Sequence, residues 1–442
     1  MSAHRASFAD LRLVCDYFRG LRNEIAVDVQ AIEMAGLAPD RYGKIPRPSR
    51  WIAKARRFAL LSRLVQYVSL PIWYVLGPWL FRRQCNAAQA VRKTCGAPIR
   101  FDEAGQVLPF SIRTIDIVHP RHISHPPRQW VELPWLPLSN LPPDAEILSA
   151  MSLLDEADMR RSLALARIAH RALNGRRDTS GWGLQSYTAW RWFLTRLAVD
   201  KLPGPLLTVE HFDRWAVLVD GSVQRSRHRQ PKRRLTVMQH GSVNADVTPR
   251  GLGLRLPTRL RAISHLRAYS AADVEVFKEE ILSRRHAERA LDVSFYRPSV
   301  TLADMPRTGD QPRILFVGHP LCEPAHCSLL QALRRHGDFQ IFYKPHPANR
   351  ASKHIGEQRW TLVEGRSVFP RVDLLVSYHS TMIAEYAAHD IPAVVHRMDI
   401  TASQILALVP EILQIIQARR APLAASNQPE PLASSARIPQ QS

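Results

Sequence analysis

A chain of 442 residues is longer than one hydrophobic core readily organises, so two domains are expected. Apolar residues make up 45% of it, which excludes a disordered or fibrous chain. Sixty Lys and Arg against thirty-nine Asp and Glu leave a net charge of +21. That field draws anions and narrows the partners to nucleic acid, acidic phospholipid or phosphorylated small molecules.

Residues 1–100 read as a helical, basic region. Leu11, Val14, Tyr17, Phe18 and Leu21 form one helical stripe, and residues 53–68 form another. Between Asp40 and Asp102 there is no acid, yet that stretch holds thirteen Lys and Arg. Inside it, residues 64–81 carry no charge, and Arg63 and Arg82-Arg83 flank them. Pro71, Gly77 and Pro78 interrupt a spanning helix. Basic flanks with Trp73, Tyr74 and Trp79 favour a segment lying in the plane of an anionic membrane surface. A buried core helix with solvated basic neighbours is the alternative. The first ten residues lack the uninterrupted apolar stretch of a signal peptide. Five cysteines, an odd number, give no disulfide framework. The expected location is therefore cytoplasmic, peripheral at the inner membrane.

Prolines from Pro120 to Pro143 impose loop or extended chain. Residues 155–173 and 186–199 read as helices. Residues 215–219 and 235–238 read as short buried strands, the first ending in Asp220-Gly221 and the second in Gln239-His240-Gly241. Residues 313–318, 340–343, 372–376 and 393–396 read as four strands alternating with helices at 327–336 and 382–388. This is the signature of a parallel, doubly wound sheet. Residues 419–442 are rich in Ala, Pro, Ser and Gln and read as a disordered tail. The domains expected are 1–100, 101–260 and 261–418, the last two Rossmann-like.

Chemistry in such sheets sits past the carboxyl ends of strands. Lys344-Pro345-His346-Pro347 ends one strand, its cation and imidazole held by a stiff turn and suited to phosphate. Ser380-Thr381 opens a helix after another strand, and Glu385 lies one turn further along, placed for ribose hydroxyls. His319, Cys322, His326 and Cys327 cluster in the loop after residue 318. Their spacing is not that of a zinc site, so no metal is assigned to them, and His319 is placed near phosphate. Arg225 to Arg234 holds six Lys and Arg and no acid, either a solvated loop or a grip on an anionic acceptor.

The segments Tyr343-Lys344-Pro345-His346-Pro347, Ser377 to Glu385, and Ile391-Pro392-Ala393-Val394-Val395 resemble the C-terminal half of bacterial GT-B transferases of surface and capsular polysaccharides. These include the sialyltransferases and polysialyltransferases, the Kdo transferases and the CDP-glycerol glycerophosphotransferases. The resemblance implies a GT-B-like α/β fold and donor binding by His346-Pro347 and Ser380-Thr381. It also implies an acid as general base in the N-terminal domain, nearest to Val219-Asp220-Gly221. Gln239-His240-Gly241 is similar to a loop whose histidine faces the cleft in related transferases. Asp220 and His240 are therefore the candidate bases, and Lys344, His346, Pro347, Ser380, Thr381, Glu385 and His319 the donor-binding set. The activity implied is that of a metal-independent, cofactor-free glycosyltransferase. Such an enzyme moves a sugar, of sialic acid or Kdo type, from a nucleotide donor to a surface-glycan or lipid-linked acceptor. A CDP-polyol phosphotransferase and an inactive membrane- or nucleic-acid-binding protein on the same fold are the rivals. Nucleic acid is the less favoured partner, because the basic runs lack interleaved stacking aromatics.

Overall fold

The computed structural model describes residues 7–34, 105–174, 186–243 and 254–425, with short breaks at 120–121, 124, 137, 228, 242, 289–290, 307–308, 347–350, 366–367 and 398–399, and isolated positions between 68 and 90. Most of the apolar segment 64–81, the expected helix at 53–68, Pro347 and the end of the tail lie outside the described residues. Among the described residues no helix is long and apolar enough to cross a membrane. The chain forms two compact units, Met1–Pro298 and Ser299–Ser442.

The first unit is built on a seven-stranded sheet of order β3-β2-β1-β4-β5-β6-β7. Its strands are β1 (Gln106–Val107), β2 (Gln129–Glu132), β3 (Glu146–Ser149), β4 (Leu206–Thr208), β5 (Leu235–Met238), β6 (Ile263–Ala268) and β7 (Asp292–Phe295). All six pairings are parallel. Successive strand residues enter opposite cores: Val131, Leu206 and Val237 one, and Trp130, Leu207 and Met238 the other. A strand buried on both faces has no polar side to display, which explains the short apolar runs.

Four long helices belong to this unit: α1 (Phe8–Met34), α2 (Glu156–Asn174), α3 (Ser186–Asp200) and α4 (Arg214–Ser226). Leu13, Val14, Tyr17, Leu21 and Ile25 of α1 join the same core as α2, α3 and α4. The amino-terminal helix is thus part of the first unit and not of a separate region spanning 1–100. Its polar residues are also tied in. Arg214 grips Glu24 with Nε–Oε1 2.7 Å and Nη2–Oε2 2.6 Å, both side chains buried. Asn23 donates to the carbonyls of Phe212 and Thr258 and accepts from the Thr258 amide.

Residues 215–219, expected as a strand, lie inside α4. Asp213 caps that helix, accepting from the Trp215 and Ala216 amides at 2.9 Å each. A five-residue apolar run fits a strand or a helix equally by period, and Gly221, read as a turn, sits in mid-helix. The strand at that point is β4, just after Pro203-Gly204-Pro205. The division between units falls after Pro298, not at residue 260, because β6 and β7 pair into the first sheet.

The second unit carries a five-stranded parallel sheet, β11-β10-β9-β13-β14. The strands are β9 (Arg313–Val317), β10 (Gln340–Lys344), β11 (Thr361–Leu362), β13 (Leu374–Tyr378) and β14 (Ala393–His396). A small parallel pair joins β8 (Leu302–Ala303) to β12 (Phe369–Pro370). Ile314 and Phe316 face one core, Leu315 and Val317 the other. Helices α5 (Glu323–Leu333), α6 (Thr381–Ala387) and α7 (Val409–Ala425) complete the unit. The helix expected at 327–336 thus starts at Glu323, and α7 continues to Ala425, beyond the tail limit expected at residue 419.

The buried Glu24–Arg214 pair is the expected weak point of the α1 docking. Glu24→Ala should destabilise the first unit by about 3–5 kcal/mol, since it strands a guanidinium in the core. Arg19→Ala, which breaks a pair with Asp16 in which Arg19 is 49% exposed, should cost less than about 1 kcal/mol. Urea unfolding of both variants checks this, and equal losses would refute the assignment.

Candidate functional site

In the second sheet the chain runs from β9 outward to β10 and β11, then returns to lay β13 on the other side of β9. The reversal lies at the carboxyl ends of β9 and β13, the place where open α/β sheets take ligands. Gly318-His319 leaves β9 there, His379-Ser380 leaves β13, and Pro345-His346 leaves β10 next door. The His319 ring lies 5.5 Å from those of both His346 and Tyr378. Gly318 leaves no room for a side chain: a β-carbon on it would sit 2.4 Å from the Tyr343 ring.

Protonation follows from the hydrogen bonds. His319 Nδ1 accepts from the Leu321 amide at 3.3 Å, so its proton resides on Nε2. Burial, with the neighbouring His346 adding to it, lowers its pKa to about 4. Burial also lowers that of His346. The edge therefore offers neutral N–H donors at physiological pH. Ser377 Oγ donates to the Tyr378 carbonyl at 2.6 Å, so the 3.0 Å contact between the two hydroxyls is a donation from Ser380 to Ser377. Ser380 opens α6 without capping it through its side chain. Ser380 and Thr381, both half-buried, thus stand beside the histidines at the start of a seven-residue helix.

Two of the expected donor residues are turned inward. Lys344 Nζ donates to the Gly365 and Val368 carbonyls at 2.9 and 2.7 Å and lies over the Phe369 ring. The lysine is 5% exposed, and burial, partly offset by the charge of Glu385, lowers its pKa to about 8. It ties Gly365 and Val368 to β10 instead of reaching past the strand. Glu385, 6% exposed, is the charge that faces it from α6.

The first sheet reverses between β1 and β4, and β4 runs on into Val209-Glu210-His211. Two imidazoles converge on one carbonyl: His211 Nδ1 at 3.2 Å and His240 Nδ1 both bond to Val209 O. Their rings are 4.6 Å apart. The carbonyl can only accept, so His240 carries its proton on Nδ1 and its lone pair on Nε2. The loop is held by Gln239, fully buried, whose side chain donates to the Gly241 carbonyl and accepts from the Tyr269 amide. Gly241 turns at φ +80°, a region open mainly to glycine. His211 and Tyr378 escape a reading of the sequence. The only signal for His211 is its place after Leu206-Leu207-Thr208, a strand too short to stand out.

Asp220 has a different setting from the one expected. It lies on α4, not at a strand end, and its Oδ1 accepts from the Arg261 and Ala262 amides at 2.6 and 2.7 Å. It therefore pins the chain entering β6. The basic run at 225–234 is partly internal too: Arg225 pairs with Asp16, and buried Arg233 bonds to Val199 O and Ser222 Oγ. Of the cysteine–histidine cluster expected after residue 318, His319 turns to His346. Cys322 and His326 are buried together with His396, the end of β14.

No family model matches the chain, and no curated protein matches its sequence. One solved structure, "Crystal structure of GtfA/B complex", overlaps with a TM-score of 0.31 at 11% identity, over 53% of this chain and 57% of that one. An overlap that loose adds nothing to the geometry above.

Burial raises the Asp220 carboxyl to about 6 against 3.8 for the free side chain. A raised folded pKa means that the carboxyl favours folding most when protonated, and this contribution is lost as pH rises through about 6. Asp220→Asn keeps the acceptor oxygen and removes the titration. The variant should gain on wild type by on the order of 2 kcal/mol between pH 4 and pH 7. Parallel pH dependences in urea unfolding would contradict this.

Proposed function

We propose that the chain is a glycosyltransferase that binds an activated nucleotide donor on the second unit and deprotonates its acceptor with His240 of the first. The observation that carries the reading is the assembly of His319, His346, Ser380 and Thr381 at the topological reversal of a doubly wound parallel sheet. Uncharged N–H and O–H donors gathered there suit the phosphate of a nucleotide. In transfer, the acceptor hydroxyl attacks the anomeric carbon while the bond from that carbon to the phosphate oxygen breaks. The hydroxyl proton passes to a general base, for which His240 is the candidate, and the leaving phosphate keeps the electron pair, stabilised by the donors that hold it. The step as written is metal-independent. Asp220, bonded to two amides, is a structural residue in this scheme, and Lys344 holds the carbonyls of Gly365 and Val368.

The sequence resemblance supports a sialic acid or Kdo-like sugar and a bacterial surface polysaccharide or lipid-linked glycan as acceptor. The acid-free basic stretch from Arg41 to Arg100 supports work at an anionic membrane surface on the cytoplasmic side.

Thermal-shift measurement with CMP, CDP, UDP and GDP tests the donor half. One nucleotide should raise the melting temperature, with stabilisation of about 2.7 kcal/mol at a hundred times its dissociation constant. His319→Ala and His346→Ala should abolish the shift. His240→Ala should keep it and lower turnover by about 10²–10⁴-fold, the usual worth of a general base, whereas Asp220→Asn should leave turnover within a few-fold. A protein stabilised by none of the four nucleotides would sink the proposal. A phosphodiester in the product would mark a polyol-phosphate transferase instead.

A further inference from the structure

The buried group formed by Cys322, His326 and His396 plays no part in the proposed transfer. Cys322 precedes α5 and His326 lies in its first turns, one helical turn apart on one face. His396 ends the edge strand β14, seventy positions along the chain. One ligand atom from each lies within 4.8 Å of the other two, and all three side chains are buried.

The hydrogen bonds fix the tautomers. His396 Nδ1 contacts the Arg397 carbonyl at 2.8 Å, so that nitrogen holds the proton and Nε2 the lone pair. His326 Nε2, 2.8 Å from His396 Nε2, must then be the donor between them. That leaves His326 Nδ1 as a buried lone pair, without a hydrogen-bond partner among the described residues. Tyr343 stands beside it, ring centroids 5.9 Å apart, and its hydroxyl also has none. A histidine that gives Nδ1–H to a backbone carbonyl and aims Nε2 inward is oriented as metal-ligating histidines usually are.

From this geometry we infer that Cys322, His326 and His396 form a zinc site, with one thiolate and two imidazoles as ligands. On binding, the Cys322 thiol proton leaves to solvent. The proton of His326 moves from Nε2 to Nδ1, and both Nε2 lone pairs face the ion. Ligand atoms of tetrahedral zinc lie about 3.4–3.6 Å apart, so the imidazoles open by about half an ångström and the sulfur closes in by at most about an ångström. The mixed sulfur and nitrogen donors favour zinc over magnesium or calcium, which take oxygen. The ion would staple the start of α5 to the edge strand. The Cys322 thiol donates to the His319 carbonyl at 3.3 Å, a bond that metal binding would give up. The site is independent of the nucleotide proposal: a chain that binds no nucleotide would still hold the metal.

The test uses the full chain, stripped of metal with a chelator and reloaded with zinc or cobalt(II). After desalting, about one zinc per chain should remain, and zinc should raise the melting temperature. Cobalt should give tetrahedral visible bands and a thiolate-to-cobalt band in the near ultraviolet. A variant with Cys15, Cys85, Cys95 and Cys327 all changed to Ser should keep that band. Cys322→Ser should lose it, and His396→Gln should weaken cobalt binding at least tenfold. Wild type that retains no zinc and gives no thiolate band overturns the inference, whether or not the variants fold, and leaves a buried water as the partner of the orphaned atoms. A band that survives Cys322→Ser overturns it equally.

Discussion

Parallel pairing is the constraint on which the structure depends. A parallel sheet needs a crossover between each strand and the next, and the crossovers cover both faces. Strand side chains are then apolar on both sides, as the alternation of Leu315 and Phe316 between two cores illustrates. Polar chemistry is displaced to the strand ends. His319, His346 and Ser380 in one unit, and His211 and His240 in the other, all follow the last residues of strands for this reason.

The same burial decides which residues keep their charge for a ligand. In a chain of net charge +21, the groups clustered at the second sheet's edge are imidazoles and hydroxyls, while the cation of Lys344 is turned inward to two carbonyls. Neutral donors suit a phosphate that must leave again, because they hold it without the strength of a buried ion pair. Asp220 shows the same logic from the acidic side. A carboxylate facing two backbone amides makes a strong local anchor, and that work withdraws it from solvent.

Much of the second unit was legible because its four longer strands are five or four residues long and helices follow β9 and β13, so period and punctuation agree. Residues 393–396 and 235–238 were located to the residue. The first unit was harder to read. Its strands β1 and β4 have two and three residues, too few to show any period, and the apolar run in α4 was as good a strand as a helix. The positions of His319 and His346 were legible because both are local to strand ends. The association of His396 with Cys322 and His326 was not, since a contact across seventy positions is set by the sheet order alone. The inward turn of Lys344 was equally hidden, since it depends on where the carbonyls of Gly365 and Val368 come to lie.

The docking of α1 changes the meaning of the chain between it and β1. Helix and strand belong to one body, α1 through Tyr17, Leu21 and the Glu24 ion pair, β1 through its place inside the seven-stranded sheet. The chain between Met34 and Gly105 therefore begins and ends on one body. A peptide bond cut within it would leave two fragments that stay together, held by the core alone. Any surface that captured this stretch would take the first unit with it at two points, limiting how freely the body can swivel there.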